Sequence, residues 1–255
     1  MLLAFDIGNS NITLGVFDAD ILICTARIAT DKKKTSDQYA VDIKNILDLH
    51  GVNCEEAEDC IICSVVPQTG SAVAAAVAQL FEIVPLEVGP GIKTGLNIKI
   101  DNPAQLGADL VAGAVGAIAE YTLPCIVIDM GTATTVSVID KEGRFLGGAI
   151  AAGVNLTLKA LCENTAQLPS VSLTAPSCPI GSNTADCMRS GIIFGTASML
   201  DGMIDRISDE LEERPTVVAT GGLSKLIINY CKNDIIFNEN LLLEGLKDIY
   251  EKNKQ

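Results

Sequence analysis

A single histidine, His50, occurs in 255 residues. Its isolation argues against Ser-His-Asp and Cys-His catalytic groups and against multi-histidine metal sites. Basic residues are also scarce. Lys plus Arg number 18 against 32 Asp plus Glu, a formal net charge of −14. A surface this acidic repels nucleic-acid phosphates and anionic membranes. It still permits a small anionic ligand held by a local cradle of backbone N–H groups. No apolar run reaches the roughly 18–20 residues that span a bilayer. The opening MLLAFDIGNSN lacks a basic segment and soon meets Asp6, so it reads as a first strand and not as a signal peptide. The expectation is a cytoplasmic protein with no nucleic-acid or membrane partner. No GxxxxGKS or GxxxxGKT stretch is present, which argues against the P-loop manner of holding a nucleotide.

Nine cysteines, an odd number, are scattered along the chain. That spread in a core-rich chain suggests reduced, mostly buried thiols. Cys60 and Cys63 form the only CxxC, inside an apolar, strand-like run where residues three apart face opposite ways. No second CxxC or nearby histidine completes a zinc or redox site. His50 ends a predicted helix just before Gly51, where a cation complements the helix dipole.

What is present is core material. Hydrophobic residues make up 48% and charged residues 20%, which excludes disorder as the main state. The length fits one or two domains. Three short strands are expected at 2–5, 12–17 and 21–29, separated by tight turns. Ser36 offers an N-cap to a helix ending at Leu49. The run 60–66 reads as a strand covered on both faces and stopped by Pro67. A small-residue helix at about 70–81 and a strand at 83–88 follow. Asn102 and Pro103 open a helix to about Tyr121, whose Ala and Gly content would permit close packing at a domain or subunit interface. A strand at 125–128, a helix at about 185–213, a short strand at 217–219 and a last helix at 239–253 complete a mixed α/β plan.

The most informative feature is a repeat. Residues 2–18 read LLAFDIGNSNITLGVFD and residues 125–140 read CIVIDMGTATTVSVID. In each, an apolar strand leads to Asp-x-Gly, then small or hydroxylated residues, a second strand and a closing Asp. The closing spacing differs by one residue: Asp6 to Asp18 against Asp129 to Asp140. Two such copies suggest two similarly built halves. In each copy a carboxylate ends a strand, and glycine lets the backbone approach a ligand. Asn9, Ser10, Asn11 and Thr13, and Thr132, Thr134 and Thr135 in the second copy, offer groups to phosphate oxygens. Asp6 and Asp129 can each hold a cation that neutralises them. The pattern therefore points to a polyphosphate clamp.

The duplicated DxG hairpin resembles the acetate kinase, sugar kinase, Hsp70 and actin superfamily. Within it the chain resembles the type III pantothenate kinases. The stretches that carry the resemblance are DIGNSNITLGVFD at 6–18, NPAQLGAD at 102–109, DMGTATTVSVID at 129–140 and GGAIAAG at 147–153. TAQLP at 165–169, IGSNT at 180–184, SGIIFGTASMLDGMIDRI at 190–207 and VVATGGLS at 217–224 follow in the family's order.

The resemblance implies two ribonuclease-H-like domains, at 1–117 and 118–255, with mixed sheets flanked by helices and ATP in the cleft between them. It implies Asp6, Ile7, Gly8, Asn9, Ser10, Asn11, Ile12 and Thr13 as the first phosphate loop. Thr132 would contact ATP phosphates, and Gly221 and Gly222 would lie near the adenosine. Asp129 would hold a monovalent cation, K⁺ or NH₄⁺; Asp6 is the second metal-holding carboxylate, and Mg²⁺ would bridge the ATP phosphates. Asp109 would be the catalytic base. Read from sequence alone, it lies three residues from Leu106 on the apolar side of the expected helix, so its carboxylate is partly desolvated. Ile100, Gly107, Ala108, Asp109, Leu110 and Thr184 would contact the substrate, Thr184 doubling as an N-cap.

Two positions depart from the family pattern. Leu110 stands where the family has Arg after Gly-Ala-Asp, and Ile100 where it usually has Tyr. Each change removes a polar contact to the acceptor. The expected activity is transfer of phosphate from ATP to the primary hydroxyl of pantothenate, in a homodimer. A kinase for another small hydroxyl compound, and a nucleotide-binding regulatory protein without catalysis, stay open beside it, as does a phosphatase of the same superfamily.

Overall fold

Leu2–Ile7 (β1), Asn11–Asp18 (β2) and Ile21–Ala29 (β3) form an antiparallel meander in the computed structural model, which describes residues 1–254. Asp59–Ser64 (β4) adds parallel to β1, and Leu86–Glu87 (β5) parallel to β4, giving the order β3-β2-β1-β4-β5. Both faces of this sheet are covered. Ser36–Leu49 (α1) and Pro67–Phe81 (α2) bury Tyr39, Ile43, Leu47, Val73 and Val77 against Leu3, Phe5, Ile7, Ile12, Leu14 and Val16. Ala108–Glu120 (α3) and the last helix, Leu241–Asn253 (α7), bury Val111, Val115, Leu243, Leu246 and Ile249 against Leu2, Ala4, Phe17, Ile61 and Cys63. Burial on two faces is why β1 and β4 read as continuous apolar runs. Cys60 and Cys63 fall in these two different cores.

The second sheet repeats the plan. Cys125–Met130 (β7), Ala133–Ile139 (β8) and Arg144–Ala152 (β9) are an antiparallel meander. Thr216–Thr220 (β10) lies parallel to β7 and Ile236–Phe237 (β11) parallel to β10. Asn97–Ile98 (β6) is added beside β9, so the order is β11-β10-β7-β8-β9-β6. Both sheets thus share the strand order and directions of a ribonuclease-H-like fold. One face carries Ile126, Ile128, Met130 and Val136 beneath Val154–Glu163 (α4), Thr184–Leu211 (α5) and Ser224–Ile228 (α6). The duplication extends to an irregularity. Each meander has a register shift at the same place, between Val16 and Phe17 and between Val138 and Ile139, leaving Ile23 and Leu146 as the extra residues.

The chain divides into two compact units. One is Met1–Leu96, Asp101–Ala119 and the segment from Asn240 onward; the other is Asn97–Ile100 and Glu120–Glu239. The expected boundary at 117/118 therefore misplaces two segments. Helix α7 belongs with the first unit, where it covers the second face of that sheet, and β6 belongs with the second. Several local expectations are also corrected. The cap of α1 is Thr35, which shares a reciprocal capping box with Gln38, and not Ser36. Helix α2 begins at Pro67, which suits the first helical position. The helix expected from Asn102 is interrupted. Pro103–Gln105 forms a separate 3₁₀ turn, Asn102 makes no side-chain cap, and α3 starts at Ala108. Asn183, not Thr184, caps α5 by accepting from the Asp186 N–H. The stretch 83–88 supplies only the short β5.

Candidate active site

Gly8 turns the chain at the end of β1, its N–H donating to the Asn11 carbonyl at 2.9 Å. Asp6 pairs with Thr13 across the hairpin and with Cys63 on the other side. Asn9, Ser10 and Asn11 are exposed at the turn, and Ile7 and Ile12 are buried beneath it. The turn is held by a residue far away in sequence. The Thr30 hydroxyl donates to the Gly8 carbonyl at 2.7 Å, and the Thr30 N–H donates to the Ser10 carbonyl at 3.0 Å. No local pattern marks Thr30; only the β2–β3 register brings it there.

Leu2, Ala4 and Asp6 alternate onto the sheet face that α3 and α7 cover, the face of Ile61 and Cys63. Asp109 stands in the first turn of α3 and is half-buried. Its carboxylate accepts the Leu110 N–H at 2.8 Å. Burial raises its pKa from 3.8, against the lowering effect of the Leu110 N–H and its own N–H. The Cys63 thiol is driven well up, first by burial and then by the carboxylates of Asp6 and Asp109. The three groups therefore converge at one end of the sheet. Gly107 makes room for the carboxylate: a Cβ there would lie 2.4 Å from Asp109 Oδ1. The desolvation of Asp109 is thus real, but its cause differs from the helical stripe read from sequence. Leu106 precedes α3, so no shared helix face places the two together.

The second hairpin has one residue fewer between Asp129 and its partner Thr135 than separates Asp6 from Thr13. The one-residue difference in the repeat therefore lies in the turn itself, closed here by the Gly131 N–H on the Ala133 carbonyl at 3.0 Å. Thr132 is exposed at its tip. Gly153, which precedes α4, presses against this turn. Its N–H donates to the Thr132 carbonyl at 3.1 Å, and a Cβ would lie 2.3 Å from that oxygen. The close packing explains the glycine that ends GGAIAAG.

Strand β10 places Thr220 beside Asp129, and the chain then turns through Gly221 at φ +93°. A Cβ on Gly221 would lie 2.7 Å from both Asp129 Oδ1 and the Met130 carbonyl oxygen. Gly221 is thus brought to the second Asp-x-Gly turn, with Gly222 following it. Ser224 closes the turn, its hydroxyl donating to the Thr220 carbonyl. The Thr135 hydroxyl, on the sheet face of Asp129, is buried without a hydrogen-bond partner. A carboxylate, an unsatisfied hydroxyl and a neighbouring carbonyl make an all-oxygen donor set, which suits a hard cation. No group of three or more His, Cys, Asp or Glu that could by itself hold a metal ion is found among the described residues.

Gly221→Ala tests this packing. A side chain in this backbone conformation costs about 1–3 kcal/mol, and the clash displaces Asp129. The expected outcome is ATP affinity lowered roughly tenfold or more by calorimetric titration.

The residues expected on the acceptor side fall in both units. Gly107, Ala108 and Leu110 lie with Asp109 in the first unit. Ile100 belongs to the second unit, beside Gly147, where a Cβ would sit 3.6 Å from Ile100 Cγ2. Thr184 is exposed at the start of α5. The helix expected as an interface is spent inside the chain. Val111–Ala117 of α3 are buried, and Gly116 abuts Leu241 and Gly245 of α7.

A model of the type III pantothenate kinases matches residues 2–206. A type III pantothenate kinase from Halalkalibacterium halodurans is 40% identical over 253 residues, 99% of this chain and 100% of that one. One from Brevibacillus brevis is 41% identical over 254 residues, covering 100% of both. Among solved structures, the activator of 2-hydroxyisocaproyl-CoA dehydratase from Clostridium difficile, with bound ADPNP, superposes with a TM-score of 0.59 at 14% identity, over 99% of this chain and 94% of that one. At that identity the likeness concerns the fold alone. With the duplicated fold, both Asp-x-Gly turns and the half-buried Asp109 in place, the chain belongs to the type III pantothenate kinase family.

Proposed function

We propose that the protein transfers the γ-phosphoryl group of ATP to the primary hydroxyl of pantothenate, giving 4′-phosphopantothenate, the first step of coenzyme A synthesis. The observation that carries the mechanism is the half-buried Asp109 carboxylate beside Gly107. As the hydroxyl oxygen attacks the γ-phosphorus, its proton passes to Asp109 and ADP leaves. Gly107 and Ala108 offer the substrate a close backbone surface, joined by Ile100, Leu110 and Thr184. The turn from Asp6 to Thr13, and Thr132 in the second turn, hold ATP phosphates. Gly221 and Gly222 admit the adenosine. Asp6 and Asp129 hold Mg²⁺ and a monovalent cation, K⁺ or NH₄⁺. When bound, these cations supply positive charge against the phosphate oxygens. The family resemblance extends the proposal to a homodimer in the cytoplasm. No helix among the described residues is long and apolar enough to cross a membrane.

The test is ADP release by the purified chain with Mg²⁺ and K⁺, with and without pantothenate. Turnover that depends on pantothenate, with the phosphorylated product identified by mass, supports the proposal and shows that Leu110 and Ile100 are compatible with this acceptor. ADP release that is absent, or indifferent to pantothenate, sinks it.

A further inference from the structure

The register of the first sheet aligns four residues in one row, Arg27–Thr13–Asp6–Cys63, on β3, β2, β1 and β4. Paired residues on neighbouring strands share a face, so Arg27 lies on the face of Asp6 and Thr13. The core beneath confirms the parity: Leu22, Phe17, Leu2, Ala4, Ile61 and Cys63 all pack on that side. Adjacent strands are roughly 4.8 Å apart, which puts Arg27 about two spacings from Asp6. A guanidinium on its long stem covers that span across Thr13.

Arg27 is the only Lys or Arg in these four strands, and the turn Gly8–Asn11 contains none. Phosphates brought to this turn therefore meet, from these strands, neutral N–H and hydroxyl donors and the Asp6 carboxylate, with Lys32, Lys33 and Lys34 following Thr30 as the next cations along the chain. In a chain of net charge −14, a guanidinium beside a phosphate site strengthens what backbone N–H groups and bound cations supply. Arg27 is solvent-exposed. The duplicated half supplies an internal comparison. The corresponding row is Ile150–Thr135–Asp129–Thr220, in which Ile150 occupies the place of Arg27. Carboxylate and threonine recur in both halves; the cation occurs in one. A purely structural requirement of the hairpin would call for the same residue in both.

We infer that Arg27 is a phosphate-binding residue, its guanidinium donating to the nucleotide's phosphate oxygens beside the Asp6–Thr13 turn. The inference rests on the ATP-dependent reading above and adds a charged contact to it. The experiment compares Arg27→Gln and Arg27→Lys with the wild-type chain, titrating each with ATP and with adenosine and recording melting temperatures. The expected result is a roughly 10- to 100-fold loss of ATP affinity in Arg27→Gln, with adenosine affinity unchanged and the variant still folded by its melting curve. Arg27→Lys should fall between, because it keeps the charge but not the fork. Unchanged ATP affinity in Arg27→Gln, or an equal loss for adenosine, overturns the inference while leaving the kinase reading intact. A wild-type chain that binds no ATP overturns both.

Discussion

Asp109→Asn should lower the pantothenate-dependent rate by roughly 10²- to 10⁴-fold, the usual contribution of a positioned base, while ATP binding persists. The substitution is nearly isosteric. Its side-chain oxygen can still accept the Leu110 N–H that now donates to the carboxylate at 2.8 Å. What disappears is the capacity to take the substrate proton. The pH profile gives a second readout. Burial raises the Asp109 pKa above its ordinary 3.8, and a base must be deprotonated to act. The acid limb of kcat/KM is therefore expected above the ordinary aspartate range, the rate falling as pH drops through the raised value. Stability runs the other way. The folded protein binds this proton more tightly than the unfolded chain, so the contribution is fully present below the unfolded pKa and is lost as pH rises through the folded one. Asn, neutral throughout, removes both dependences. A variant that retains full turnover, or a wild-type profile flat through that window, would show that Asp109 is not the base.

Local chemistry made much of this site legible. The repeated Asp-x-Gly marked two hairpins, and both copies do form them, with Asp6 and Asp129 one residue before the last pair of each. The buried strands were legible because apolar runs covered on both faces leave no alternation to misread. Non-local features stayed hidden. Thr30 reaches Gly8 through a hydrogen bond spanning 22 residues, and the row that contains Arg27 exists only once the strand register is set. Strand β9 is not among the strands expected from sequence, and Gly147 and Gly148 lie within it. They are needed there: Gly147 sits at φ +123°, and a Cβ on Gly148 would lie 1.8 Å from the Val136 carbonyl oxygen. Helix α7 was assigned to the wrong unit because amphipathic spacing identifies a buried face without saying what covers it. The Ala and Gly content of α3 was read correctly as a sign of close packing, but its partner is α7 of the same unit.

That helix pair gives the largest expected effect on stability. A Cβ on Gly245 would lie 1.9 Å from the Ala112 carbonyl oxygen and 2.9 Å from the Gly116 nitrogen. A Cβ on Gly116 would in turn lie 2.5 Å from the Leu241 carbonyl oxygen. The obstructing atoms are helix backbone, which cannot rotate aside as a side chain can. Gly245→Val must therefore push α3 and α7 apart. Overpacking of this kind costs about 1–3 kcal/mol and sometimes more, and a β-branched residue adds no helix propensity large enough to offset it. The expected melting temperature falls by about 5–10 °C, at roughly 2–4 °C per kcal/mol for a chain of this size. Activity should fall at temperatures where the variant is still folded, because Asp109 rides on the first turn of α3. Gly195→Ala is the matched control. It lies in a helix with nothing within 4 Å of the added Cβ, so the propensity gain of about 1 kcal/mol should appear as a small rise in melting temperature. Opposite signs at two helical glycines would tie the Gly245 effect to the contact with α3; a loss of similar size at both would instead mean that the helix pair is not tightly packed.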